Sequence, residues 1–331
     1  MAVTSHDVAR LAGVSQATVS RALRGDTKVS STTRDKVEAA ARQLQYVRSE
    51  VGRSLSTRST HQIAMVADLD NALYPRLVAP LHDALAALGY RMVMFAERGD
   101  EMASHERLLD GSVDGAILTT SQLRSSLPFM LHSRGFPFVQ INRVSALVDA
   151  DSVAADNYGG AESVGRMLAE AGHTRVGAIL GPDNTSSARD REAGFRASLE
   201  EAGIELPPRR LARGTFSYQG GSDGFTRIMQ PRDRPTAVFC VTDILAVGAL
   251  NASTELGIKV PDDVAIVGFD DLDIASWPCF QLTTVRVDFS TMALRAAQRL
   301  VARIGGEADP EVVHEVLPTE IVRRTTHMQS S

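Results

Sequence analysis

From Gln62 onward the chain alternates short, wholly apolar runs with longer segments whose apolar residues recur at helical spacing. Ile63-Ala64-Met65-Val66 precedes a helical segment near 75–88. Met92-Val93-Met94-Phe95, Ala116-Ile117-Leu118 and Phe138-Val139-Gln140-Ile141 follow, with helical segments between them. Strands that are apolar throughout are covered on both faces, and the intervening helices are the crossovers that parallel neighbours require. The pattern restarts after Asp156, with a helix near 158–171, the strand Val176-Gly177-Ala178-Ile179-Leu180, a helix near 188–202, and strands near Val238 and Ile266. Two such series predict an α/β body made of two doubly wound parallel-sheet subdomains. Sheets of this kind take ligands at the carboxyl ends of their strands, and a cleft between two of them suits a small molecule.

Residues 1–46 follow a different rule. A first helix is predicted from about Ser5 to Ala12. Thr4 and Asp7 stand at capping-box spacing before it, and Gly13 supplies the positive φ of a tight stop. Ser15 caps a second helix, about Gln16 to Leu23. At 100° per residue, Thr18, Val19, Ala22 and Leu23 share the side that packs on Val8, Ala9 and Ala12. Gln16, Ala17, Ser20 and Arg21 share the other side. They offer an amide, a methyl, a hydroxyl and a guanidinium, the groups that read base edges in a major groove. Ser30 caps a third helix with an apolar stripe of Val37, Ala40, Ala41 and Leu44. Helix, glycine turn and helix make a helix-turn-helix unit whose second helix is the reader. On spacing alone, a small bundle with a merely wet polar face is an equal alternative.

Charge separates the two regions. The chain carries 35 Lys and Arg against 40 Asp and Glu, a net charge of −5, yet residues 1–60 sum to +5 and the remainder to −10. A basic head on an acidic body points to a polyanionic partner for the head.

The run Asp7-Val8-Ala9-Arg10-Leu11-Ala12-Gly13-Val14-Ser15, then Ala17-Thr18-Val19-Ser20-Arg21, resembles the DNA-binding headpiece of the lactose-repressor (LacI-type) family of bacterial transcription regulators. Val29-Ser30, Thr33-Arg34 and Tyr46 continue the match. The resemblance implies that Gln16, Ala17 and Arg21 read bases, with Arg21 donating to the O6 and N7 of a guanine. It places Thr4, Ser15, Thr18, Ser20, Ser30 and Thr33 on phosphates, where they set register. Arg24 adds a further phosphate contact where the family often has Asn.

Residues 47–61 are rich in Ser, Thr and Arg, which by composition describes a flexible tether. The resemblance implies instead a hinge helix at about 49–56 that folds on DNA. In it Leu55 wedges into the central base step from the minor groove, and Val51 packs the two hinges of a dimer together. Gly52 and Arg48, where Ala and Pro are common, imply a hinge that orders less readily.

Asp156-Asn157, Gly172-His173, Pro235-Thr236-Ala237, Val267-Gly268-Phe269-Asp270-Asp271 and Leu282-Thr283-Thr284-Val285 extend the resemblance over residues 62–331, an effector-binding and dimerisation domain with a periplasmic-binding-protein-like core. The family's three crossings imply a first subdomain of 62–156 plus about 288–312. The second would then be 157–287 plus about 313–325. In the cleft the resemblance assigns Arg191 to ligand hydroxyls or carboxylates, and Asp270 to ligand hydroxyls or ring N–H groups. Leu73 and Tyr74 fall where the family has aromatic residues facing the ligand. Asn142 and Thr242 replace a usual Asp and Asn. Trp277, the single Trp, is either a wall of the cleft or packing. The implied protein is a repressor acting as a homodimer on near-palindromic double-stranded operator DNA, with a sugar or nucleoside-like effector.

Other classes find less support. The acids Asp262, Asp263, Asp270, Asp271 and Asp273 sit at turns and element ends, where carboxylates cap backbone. No dinucleotide, phosphate-loop, nucleophile-elbow or zinc-helix motif is present, and two cysteines exclude a disulfide scaffold. The expectation is therefore no catalytic residue, no metal and no cofactor. No apolar run reaches the roughly 18 residues of a membrane span, and the N-terminus does not read as a signal peptide. A cytoplasmic protein follows, rather than a periplasmic solute binder.

Overall fold

The computed structural model describes residues 3–23, 25–46, 59–69, 71, 73–96, 106–230 and 232–327. Arg24, Val51 and Leu55, to which DNA contacts were assigned above, lie outside the described residues. The chain groups into two compact units, 1–60 and 61–331.

The first unit holds three helices: α1 (Ser5–Ala12), α2 (Gln16–Leu23) and α3 (Ser31–Gln43). Asp7 accepts the Thr4 backbone N–H at 3.0 Å and its hydroxyl at 2.7 Å. Gly13 stops α1 with φ of +66°. Ser15 accepts the Thr18 N–H at 3.1 Å, and Ser30 accepts the Thr33 N–H at 3.3 Å. Each cap satisfies an N–H that the first helical turn leaves without a partner. Val8, Ala9, Val19, Ala22, Val37 and Ala40 form the shared core.

The second unit contains two six-stranded sheets. The first uses β1 (Gln62–Ala67), β2 (Arg91–Ala96), β3 (Gly115–Leu118), β4 (Phe138–Ile141), β5 (Ser152–Ala155) and β11 (His314–Leu317). Its order is β11-β5-β4-β3-β1-β2 and every pairing is parallel. The second uses β6 (Val176–Leu180), β7 (Leu211–Arg213), β8 (Ala237–Cys240), β9 (Ala265–Asp270), β10 (Thr283–Arg286) and β12 (Glu320–Val322). Its order is β12-β10-β9-β8-β6-β7, with only β12 antiparallel. Helices α4 (Pro75–Ala87) and α5 (Ser126–Ser133) serve the first sheet. Helices α6 (Asn157–Glu170), α7 (Ser186–Glu201), α8 (Tyr218–Met229) and α9 (Asp243–Glu255) serve the second. The last helix, α10 (Phe289–Gly305), returns to pack on α4 and on β3, β4 and β5.

One expected assignment needs correction. Residues 313–325 were placed with the second subdomain, yet β11 pairs in register with β5 of the first sheet, and only β12 joins the second. The third crossing therefore falls between Leu317 and Glu320. Asp151 anchors the early part of this tail. Its carboxylate accepts from Arg303 Nε at 2.6 Å, Arg299 Nη2 at 3.1 Å and the Val313 N–H at 2.9 Å, so β11 is fixed to β5 before the chain crosses.

Burial raises the Asp151 carboxyl, but Arg303, Arg299 and the Val313 N–H together hold it down to about 2, below its usual 3.8. A carboxylate depressed in the folded state stabilises the fold above its unfolded pKa, and that contribution is lost as pH falls through the folded one. The urea midpoint should therefore drop between about pH 4 and pH 2. Asp151→Asn should flatten that part of the profile, and an unchanged profile would remove Asp151 from the balance.

Candidate functional site

On α2 the division into two faces is realised. Val19 and Ala22 are buried, Thr18 and Leu23 half-buried, and Gln16, Ala17, Ser20 and Arg21 exposed. The Gln16 amide donates to Ser5 Oγ at 3.0 Å, so it must exchange that bond to meet a base. Ser30 donates its hydroxyl to Thr33 Oγ1 at 2.9 Å, leaving the Thr33 proton to point elsewhere. Thr4, Ser15 and Ser30 stand at helix N-termini, where backbone N–H groups and the helix dipole favour an anion such as phosphate.

In the body, the carboxyl ends of the strands converge on one small cavity of about 20 Å3. Leu73, Asn142, Arg191, Thr242 and Asp270 line it, all assigned to the cleft from sequence, and so do Asn71, Arg143, Ser187, Phe216, Ile244 and Leu272. Asn71 and Leu73 follow β1, Asn142 and Arg143 follow β4, Ser187 opens α7 after β6, and Thr242 follows β8. Asn142 at φ +68° and Asp270 at φ +115° hold backbone conformations that side chains other than glycine rarely adopt. Such strain persists only where surrounding packing enforces it.

Arg191 is 3% exposed. Its Nε donates to Asn157 Oδ1 at 2.8 Å and its Nη1 to the Val241 carbonyl at 2.6 Å, and its guanidinium lies 3.7 Å from the Phe269 ring centre. Its Nη2 sits 3.0 Å from Asp270 Oδ1, an ion-pair contact outside hydrogen-bond geometry, so that oxygen has no hydrogen-bond donor among the described residues. Burial raises the Asp270 carboxyl, while Arg191 and then Arg143 draw it back. Asp243 lies behind it, wholly buried, accepting the Leu272 N–H at 2.7 Å. Burial and the neighbouring Asp270 lift its carboxyl well above the ordinary range.

Two assigned residues do not reach the cavity. Tyr74 is 4% exposed in the core beside β1, and burial raises its phenol. Trp277 is 52% exposed, at the end of the turn Asp273–Ser276. Arg143 was missed. It follows the assigned Asn142 at the carboxyl end of β4, so the strand-end rule applied to β4 reaches it.

A body of two parallel sheets with a polar cavity at their strand ends, preceded by a helix-turn-helix, defines a ligand-responsive DNA-binding protein. Residues 4–49 match the model of the bacterial regulatory proteins of the lacI family, and residues 166–327 match that of a periplasmic binding protein-like domain. The chain is 33% identical over 306 residues to the ribose operon repressor of Escherichia coli K12, covering 91% of this chain and 93% of that protein. It is 33% identical to the transcriptional regulator CelR of Thermobifida fusca, covering 96% of each. It is also 32% identical to the transcriptional repressor CytR of E. coli K12, covering 86% of this chain and 84% of that protein. Among solved structures, a lac repressor dimer bound to operator and an anti-inducer superposes with a TM-score of 0.89 at 28% identity, covering 98% and 99% of the two chains. A CelR–cellobiose complex gives 0.75 at 31%, with the same coverage. The chain belongs to the LacI family of bacterial transcription regulators, whose members are regulators and not enzymes. No helix among the described residues is long and apolar enough to cross a membrane.

Proposed function

We propose that this regulator is a cytoplasmic repressor that binds a near-palindromic operator as a homodimer and is controlled by a small polar metabolite, sugar or nucleoside-like, in the cleft. The organisation proposed is a headpiece of 1–46, a hinge of 47–61 and the effector and dimerisation domain beyond. The two faces of α2 carry this reading: one buried in the headpiece core, the other presenting Gln16, Ala17, Ser20 and Arg21 outward.

Two-fold symmetry puts two copies of α2 into successive major grooves. Arg21 donates to guanine O6 and N7, Gln16 exchanges Ser5 for a base, and the Ala17 methyl meets a thymine methyl. Thr4, Ser15, Thr18, Ser20, Arg24, Ser30 and Thr33 hold phosphates. Leu55 enters the central step from the minor groove, against its symmetry mate and beside Val51.

Effector control works through the cleft. Arg191, Asp270, Asn142, Thr242 and Leu73 would hold the ligand's hydroxyls and ring. The cavity of about 20 Å3 suits little more than one water, so entry parts the subdomains. Among the described residues the bonds that resist this include the Val144 N–H to Ser186 Oγ at 3.0 Å, the Leu123 N–H to the Asn184 carbonyl at 2.8 Å, Asn184 to Gln122 at 3.0 Å, and the Arg76–Asp273 ion pair. A changed angle between subdomains changes hinge spacing and so operator affinity, a coupling of about 1–3 kcal/mol.

Sedimentation of the full chain with a selected operator duplex tests the arrangement. Two chains per duplex, with two-fold related protection of its phosphates, are expected; one chain per duplex contradicts it.

A further inference from the structure

Among the described residues that line the cavity, cationic side chains outnumber carboxylates. Arg143 and Arg191 both line it, one from each subdomain, and the carboxylate at contact distance is Asp270, already paired with Arg191. The Arg143 Nε is buried and has no hydrogen-bond partner, and no ion pair joins Arg143 to an acid among the described residues. Its guanidinium instead lies 4.9 Å from the centre of the Phe216 ring, across the cleft. Burial and the repulsion of Arg191 both disfavour its charge. Asp243 adds no ready compensation, because its burial favours the neutral acid. Tyr74, Asp270 and, after them, the half-buried Asp68 favour the charge.

Two other polar atoms at the cavity are incompletely satisfied. Thr242 Oγ1 is buried without a hydrogen bond, and Asp270 Oδ1 has the Arg191 ion-pair contact alone, on residues 9% and 4% exposed. Arg143 is half-buried and reaches no carboxylate at ion-pair distance among the described residues, and a buried donor or acceptor left unmade costs its desolvation. A ligand that satisfied all three would need an anionic oxygen for Arg143, with a donor for Asp270 and a hydroxyl for Thr242.

We propose that the effector is an anion, a small polyhydroxylated molecule whose carboxylate or phosphate group pairs with Arg143 while its hydroxyls turn to Asp270 and Thr242. This rests on the cleft being the effector site and adds the charge of what it takes. It also supplies a grip on both halves of the cleft. Arg143 follows β4 of the first sheet, whereas Asp270 and Thr242 belong to the second. A neutral sugar offers Arg143 a hydroxyl acceptor but no counter-charge.

Calorimetric titration of the full-length chain with gluconate against glucose, and with ribose phosphate against ribose, tests the charge. Inorganic phosphate alone, read by the thermal midpoint, is the simplest probe. The charged member of a pair should bind at least about tenfold more tightly than the neutral one, the value of one charge-assisted contact. Gluconate outranking ribose phosphate, or the reverse, assigns the anion as carboxylate or phosphate. Arg143→Gln should erase the preference, and Arg143→Lys should keep part of it. Equal or tighter binding of the neutral sugars overturns the proposal. So does a preference that survives Arg143→Gln, or a thermal midpoint that no charged probe, phosphate included, raises. Sugar binding unmoved by both Arg143→Gln and Arg191→Gln would instead locate the effector outside the cleft.

Discussion

Replacing Arg191 with alanine is expected to cost about 3–5 kcal/mol of folding stability, the range for breaking one side of a buried ion pair. The guanidinium is nearly inaccessible, and its removal leaves Asp270, Asn157 Oδ1 and the Val241 carbonyl without their cationic partner. The loss should be strongly non-additive with Asp270→Asn, which removes the stranded charge. Urea melts of the two single variants and the double variant measure this. A loss below about 1 kcal/mol, typical of an exposed pair, would mean that the pair opens in solution. Under conditions where Arg191→Ala stays folded, the second expected result is functional: operator affinity no longer responds to effector. A normal response would place the ligand elsewhere.

Arg21→Ala acts on the other unit. Arg21 is exposed, so the headpiece core stays intact. The cost falls on operator binding, about 1–3 kcal/mol per half-site and twice that for a two-fold complex. It should be confined to one base pair in each half-site, read by competition among duplexes altered at single positions. A uniform loss on every sequence would make Arg21 a phosphate contact.

The headpiece was legible because its signals are local. Thr4, Ser15 and Ser30 announce helix starts, Gly13 a stop, and the 100° periodicity of Val19 and Ala22 separates core from surface. The body was legible as alternation, and α10 packs on β3, β4 and β5 of the first sheet. The placement of β11 failed because His314-Glu315-Val316-Leu317 is an edge strand with one buried residue, and nothing in four such residues says which sheet they join. Tertiary bonds to Asp151 decide it, and these link residues about 150 positions apart. Arg191 and Asp270, assigned to the cleft by resemblance, both line the cavity, yet their contact with each other was not legible, since it joins α7 to the end of β9. Arg143 escaped because one Arg after a strand carries no periodic signal. Trp277, a wall of the cleft or packing by sequence, is 52% exposed and does not line the cavity.

One chain is expected to couple sequence-specific DNA reading to a ligand in the cleft. Selecting bound duplexes from a randomised pool with the full-length protein, with and without a metabolite mixture, measures that coupling. Enrichment of a near-palindrome is expected, at a strength that the metabolites change. Enrichment of no sequence under either condition, or of one sequence to the same extent under both, would contradict it.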